Sequence, residues 1–376
     1  MSGTLDLEHA RAVFEQSTDF TVGIEEEFQI LDPETLELTQ RFEELKDAAQ
    51  ADEELAVAVA GELISSEIEI RSGRGENFPH AVALQESHRK KLFALAEQHG
   101  AKLGSIGAHP FSRWQDQKII DTDHYRLVEG GLQYVAWRNN TFSLHVHVGV
   151  RGADRAIAVC DRLREELPLL LAISASSPFN DGRDSGLASV RTQLFTRMFP
   201  RCGVPEQWGS WQTYADFVDF LVKTNSVIES TQLWWSVRPH HSYGTVEVRI
   251  CDAQPTAEGS TALAGLITAC VAQAARDFDE GVPHENASNR LIEENFWRAI
   301  RFGLDGKLID FAASSEYAAA GAVDRLLEWT APVRAELGIE PAIDVPNTTQ
   351  RLRAASGSIE ERFSAVVEAT HRSFGR

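Results

Sequence analysis

Residues 20–31, FTVGIEEEFQIL, alternate apolar and polar side chains and stop at the turn signal Asp32-Pro33, so the pattern predicts a strand. The same period of two recurs at the end of LISSEIEI (63–70) and in the β-branched run 141–150, which contains SLHVHVGV. KLGSIGAH (102–109) reads as a short buried strand. QLWWSVRP (232–239) and TVEVRICD (245–252), separated by HHSYG, read as an antiparallel hairpin with a longer loop.

Helical patterns fill the intervals. NFPHAVALQESHRKKLFALAEQHG (77–100) ends in a glycine that stops a helix. DRAIAVCDRLREELPLLLAISA (154–175) contains Pro168, which should kink or break it. TAEGSTALAGLITACVAQAARDF (256–278) and most of the chain after 284 also read as helical. Strands separated by helices suit parallel βαβ units, but no glycine-rich phosphate loop follows a strand, and the chemistry-bearing residues lie within the strands. An antiparallel or mixed sheet with one open polar face fits better. The expectation is a single α+β catalytic domain over residues 1–376, with 1–17 as a helical N-terminal extension. The helical part 284–376 would cover one face of the sheet or support a homodimer.

Composition narrows the classes. With 36 Lys and Arg against 56 Asp and Glu, the net charge is −20, and 43% of the 376 residues are hydrophobic, enough for a sizeable core. Such a field does not attract nucleic acid or an anionic membrane, although local cations can reverse it for an anionic substrate. The N-terminus MSGTLDLEHARAVFEQ lacks the apolar centre of a signal peptide, and no apolar run reaches the roughly 18 residues of a membrane span. Cytoplasmic location is the expectation. Cys160, Cys202, Cys251 and Cys270 form no C-x-x-C pair and read as four reduced thiols.

Successive strand side chains point to opposite faces. Glu25 and Glu27 therefore share a face and Glu26 points away. Glu67, Glu69 and Arg71 share one, as do His145 and His147, and Glu247 and Arg249. Taken singly, each is an ordinary half-exposed strand. Four strands with the same doubled polar signature imply one cleft where carboxylates, imidazoles and guanidiniums converge. Clustered carboxylates repel and lose solvation unless cations compensate. Oxygen ligands suit Mg²⁺ or Mn²⁺, which also hold nucleotide phosphates, and a histidine ligand tilts the choice toward Mn²⁺.

VGIEEEFQILDPETLEL, SSEIEIRSG, GAHPFSRW, SLHVHVGV, SASSPFNDGRDSGLASVR and RPHHSYGTVEVRICDAQPT occur in family order from about residue 18 to 370. On these motifs the chain resembles the bacterial carboxylate-amine ligases called glutamate–cysteine ligase type 2. The resemblance implies a glutamine-synthetase-like fold, with an antiparallel sheet as one wall of a funnel for ATP and divalent metal ions. It implies ATP-dependent amide formation through an acyl phosphate, the best-known pair being the γ-carboxylate of glutamate and the amine of cysteine.

The expected metal ligands are Glu25, Glu27, Glu69, His145 and Glu247. Glu67 either joins them or contacts the amine. His147 supports a ligand or contacts nucleotide, and Tyr243 or His240, in the loop before the last strand, touches nucleotide. Arg249 grips the γ-phosphate, and Arg71 or Arg238 holds the substrate carboxylate. In the loop SSPFNDGRDSGLASVR, Ser176, Asn180, Arg183 and Arg191 line the carboxylate site or close over it. His109 and Trp114 either shape the pocket or pack within the protein. Two rival readings remain. A metal-dependent hydrolase of the H-x-H type would turn over without nucleotide, and a non-catalytic relative would bind Mg²⁺–ATP without turnover.

Overall fold

The computed structural model describes residues 6–227 and 232–375; residues 1–5 of the expected N-terminal extension and Arg376 lie outside them. Seven strands form the main sheet: β1 (Val22–Leu31), β2 (Val59–Ala60), β3 (Glu67–Arg71), β4 (Lys102–Gly104), β5 (Ser143–Gly149), β6 (Val237–His240) and β7 (Thr245–Asp252). Their order is β6-β7-β5-β1-β3-β2, and β4 pairs with the far end of β1, on the edge that β5 leaves. Every pairing is antiparallel. The fold is α+β, as the sequence pattern implies.

The register brings the motifs level with one another. Glu25 lies opposite Arg71 on β3 and His145 on β5, Glu27 opposite Glu69, and Glu247 opposite His147. The alternate positions Ile24, Phe28, Ile30, Ile68, Ile70, Val146, Val148, Val246 and Val248 face the other way and are buried in the cores behind the sheet. The period of two thus sorts charged side chains to one face and aliphatic ones to the other.

Five long helices matter for the site and its back wall: α1 (Leu7–Glu15), α2 (Phe78–Gln98), α3 (Ala153–Leu163), α4 (Leu167–Ser174) and α5 (Ala257–Asp279). The break between α3 and α4 falls just before Pro168, which stands in the first turn of α4, where its missing N–H costs nothing. Asn77 caps α2 and Thr256 caps α5 through their side-chain oxygens. After residue 284 come α6 (Asn289–Phe302), α7 (Ala319–Leu337), α8 (Thr348–Ala354) and α9 (Ile359–Phe374).

Several boundaries differ from the pattern. KLGSIGAH forms a strand only over its first three residues, and Ser315–Ala318 pairs with Lys307–Asp310 in a hairpin inside the helical C-terminal part. The hairpin before β7 starts at Val237, because Trp234–Trp235 pairs in parallel with Cys202–Gly203 instead. A bulge between Val248 and Cys251 shifts the register of β7 against β5. No helix among the described residues is long and apolar enough to cross a membrane.

Candidate active site

Glu25 stands at the centre of the polar face. Its Oε2 lies 3.4 Å from Nδ1 of His145, and its Oε1 lies 3.5 Å from Nε2 of His147. Two overlapping groups result: Glu25 with Glu69 and His145, and Glu25 with His147 and Glu247. Within each group one donor atom per residue lies within 4.8 Å of the others, a spacing that could hold a divalent cation. His147 Nδ1 is 3.0 Å from the Thr245 hydroxyl, whereas its buried Nε2 has no hydrogen-bond partner and lies between two carboxylates. Sequence reasoning expected His147 beside the metal ligands; the geometry gives it a donor atom within the second group.

The remaining expected ligand is arranged differently. Glu27 accepts a hydrogen bond from the Ser143 backbone N–H and lies 3.8 Å from His145 Nε2, at the edge of the first group. The Ser143 hydroxyl meets His145 Nε2 at 2.7 Å. Glu67 is buried one register step further along, opposite Gln29, with one oxygen lacking a partner.

Three guanidiniums surround the carboxylates. Arg71 Nε is 2.6 Å from Glu69 and 4.0 Å from Glu25. Arg238 holds Glu247 Oε2 at 2.6 Å and donates to the Leu233 carbonyl at 2.6 Å. Arg249 donates to the other oxygen of Glu247 through Nη1, and its buried Nε has no partner. Arg191 serves another purpose. Its Nη1 and Nη2 donate to the carbonyls of Ile250 and Arg249 at 3.0 and 3.1 Å, so it props the bulge that turns Arg249 toward Glu247. Asn180 sits on a separate short hairpin, paired with Arg183.

Charge explains the protonation pattern. Burial alone would raise the Glu25 carboxyl, but His147 and His145 outweigh it and hold it well below the usual range. Burial would likewise raise Glu247; Arg238, Arg249 and His147 hold it well below instead. Glu69 and Glu67 go the opposite way: burial raises both well above the ordinary carboxyl value, with Glu25 adding to it for Glu69 and Glu27 for Glu67. Burial lowers His145, with Arg249 adding to it, whereas Glu247 and Glu25 overcome burial and raise His147.

One member of this network escaped the sequence reading. Glu62 sits in the loop before β3, and burial, with Glu27 adding to it, pushes its carboxyl up to about 8. No alternation marks it, because it precedes the strand. Its only signal is an acidic residue at the mouth of an apolar run.

A cavity of about 650 Å³ adjoins the cluster, lined by Glu25, Arg71, Gly73, His147, Tyr243 and Thr245, with Val13 of α1 and Ser17 just beyond that helix also in its wall. Gly73 turns the chain after β3 with φ of 71°, a conformation that favours glycine. His240 stacks on Tyr243 with centroids 4.3 Å apart, and its ring is 5.1 Å from that of His147. Its neighbour His241, the first residue of the turn after β6, meets the Tyr214 hydroxyl at 2.7 Å instead. His109 is packed: its Nε2 donates to the Leu36 carbonyl at 2.8 Å, and its Nδ1 accepts from the Ser112 N–H at 2.9 Å. Trp114 lies under the guanidinium of Arg138 on a short 3-10 turn.

The profile of glutamate-cysteine ligase family 2 matches residues 21–362, a span that contains every strand of this wall. The chain belongs to that family. A family member from Sorangium cellulosum, provisionally named glutamate–cysteine ligase 2, is 41% identical over 310 residues, covering 82% of each chain. A second, from Rubrobacter xylanophilus and provisionally named glutamate–cysteine ligase 2-3, is 38% identical over 361 residues, covering 96% of each. Among solved structures, glutamate–cysteine ligase from Francisella tularensis in complex with AMP superposes with a TM-score of 0.70 at 12% identity, covering 95% of this chain and 90% of that one. A bifunctional glutathione synthetase from Pasteurella multocida gives 0.63 at 12% identity, with 98% and 54% covered. At such identity the structural likeness establishes the fold alone, a glutamine-synthetase-like one. Family membership carries the broader statement that this is a carboxylate-amine ligase of the glutamate–cysteine ligase type.

Proposed function

We propose that this family 2 ligase joins the γ-carboxylate of glutamate to the amine of cysteine or a similar amino acid, using ATP. The observation that carries the reading is the double cation site centred on Glu25 beside a cavity of about 650 Å³. The donors fit Mg²⁺ or Mn²⁺: the oxygens of Glu25, Glu69 and Glu247, one imidazole nitrogen in each group, and a buried His147 Nε2 that has no hydrogen-bond partner. When bound, such cations would offset the polyphosphate charge and align the γ-phosphorus.

A carboxylate is a poor electrophile. In the proposed reaction one of its oxygens attacks the γ-phosphorus of ATP and ADP leaves, giving an acyl phosphate. The amine then attacks the acyl carbon, loses a proton, and phosphate departs with the former carboxylate oxygen. Positioning and electrostatic stabilisation supply most of the acceleration in such transfers. We assign Arg249 to the transferring phosphoryl group, because its buried Nε has no other acceptor. Arg71, half-exposed at the cavity, takes the substrate carboxylate. Arg238 orients Glu247 from behind. We assign Glu67, buried with one oxygen lacking a partner and with Glu62 nearby, to the incoming amine. The stacked pair His240 and Tyr243 forms the nucleotide-facing rim. AMP bound to the Francisella relative supports nucleotide use here.

The test is a panel of acid and amine pairs scored for phosphate release with Mg²⁺ or Mn²⁺. The reading requires release that depends on ATP, on an acid and on an amine together, with glutamate among the acids accepted. Turnover without nucleotide would favour the hydrolase, and nucleotide binding without turnover on any pair would favour the non-catalytic relative.

A further inference from the structure

The two histidines of the H-x-H pair turn different ring nitrogens toward Glu25. In His145 it is Nδ1, 3.4 Å from Glu25 Oε2. In His147 it is Nε2, 3.5 Å from Glu25 Oε1 and 3.7 Å from Glu247 Oε1. The register separates the two approaches. Glu25 lies directly opposite His145, whereas Gly23 lies opposite His147, so that ring reaches Glu25 along the diagonal.

Each remaining nitrogen meets a buried hydroxyl. His145 Nε2 lies 2.7 Å from Ser143 Oγ, and His147 Nδ1 lies 3.0 Å from Thr245 Oγ1. The strand period of two supplies both hydroxyls. Ser143 precedes His145 by two positions on β5, and Thr245 precedes Glu247 by two on β7, so all share the polar face. Ser143 is itself held in place, because its backbone N–H donates to Glu27. Glu27 stands 3.8 Å from His145 Nε2, beyond hydrogen-bond reach, so the hydroxyl is the partner of that nitrogen.

A nitrogen that ligates a cation must present its lone pair, so the ring proton sits on the other nitrogen and needs an acceptor. A hydroxyl can accept it without adding charge to a site already crowded with carboxylates. We propose that Ser143 and Thr245 are positioning residues that fix opposite tautomers in the two histidines. His145 keeps its proton on Nε2 and offers Nδ1 to the group with Glu25 and Glu69. His147 keeps its proton on Nδ1 and offers Nε2, which has no hydrogen-bond partner, to the group with Glu25 and Glu247. The assignment rests on the double cation site proposed above.

The test has two arms. In the full chain labelled with ¹⁵N-histidine and saturated with Mg²⁺, two-bond proton–nitrogen NMR should place the ring proton on Nε2 of His145 and on Nδ1 of His147. In Mn²⁺ titrations followed by electron paramagnetic resonance, Ser143→Ala should weaken only the site that survives Glu247→Gln, and Thr245→Val only the other, each about tenfold or more. Ser143→Thr and Thr245→Ser, which keep the hydroxyl, should restore the affinity. Protons on the same ring nitrogen in both residues overturn the assignment. So do two Mn²⁺ ions bound with unaltered affinity in both Ser143→Ala and Thr245→Val, a result that leaves the cation site standing. No Mn²⁺ bound to the unaltered chain would remove that site and the assignment together.

Discussion

Glu25 and His147 meet across β1 and β5 at 3.5 Å, Oε1 to Nε2, while the other oxygen of Glu25 meets His145. One carboxylate thereby belongs to two donor groups. Substitutions should divide accordingly. In Mn²⁺ titrations followed by electron paramagnetic resonance, Glu247→Gln should lose the site shared with His147 and keep the other. Glu25→Gln should weaken both about tenfold or more and abolish turnover with little change in fold. Unaltered Mn²⁺ binding in Glu25→Gln would remove the shared role.

Arg249→Lys should lower kcat about 100-fold or more, because a compact ammonium cannot satisfy Glu247 and a phosphoryl oxygen from one planar fork. Steady-state kinetics with saturating ATP checks this. Near-normal kcat would transfer the phosphate role to another cation.

Asp252, at the end of β7, is fully buried and accepts from the Ser176 backbone N–H at 3.0 Å and from the hydroxyls of Ser177 and Ser189 at 2.7 and 2.8 Å. It fastens the loop after α4 to the sheet. Asp252→Ala strands these donors and the nearby Arg191, and should cost about 3 kcal/mol in urea unfolding. A loss under about 1 kcal/mol would mean that the loop is anchored elsewhere.

His109 gives a pH signature away from the active site. Burial lowers its pKa from 6.5 to about 3, and its neutral ring uses Nε2–H as donor and Nδ1 as acceptor. Between about pH 3 and 6.5 the unfolded chain therefore binds more protons at this residue than the folded one. Its contribution to stability is complete above 6.5 and is lost as pH falls toward 3, by up to about 1.4 kcal/mol per pH unit. His109→Gln, which keeps a donor and an acceptor, should flatten this acid slope in urea midpoints measured across the window. An unchanged slope would assign it to other groups.

These particulars show where the sequence is readable. Strand periodicity sorts Glu25 from Glu26 and His145 from Val146, because one face is apolar and the other charged; the register then follows from burial. Periodicity says nothing about Glu62, which lies in a loop, or about Arg191, whose partners are backbone carbonyls brought near by a bulge. Nor does it reveal that Trp234 and Trp235 leave the hairpin for a parallel pairing with Cys202 and Gly203, a contact 32 residues distant. The ambiguity at His109 was between pocket and packing, and two hydrogen bonds decide for packing.

The most direct measurement follows oxygen. Glutamate labelled with oxygen-18 in its γ-carboxylate should transfer one label to inorganic phosphate for each amide formed, since the carboxylate oxygen leaves with the phosphoryl group. Amide formation that releases unlabelled phosphate would contradict the acyl-phosphate account.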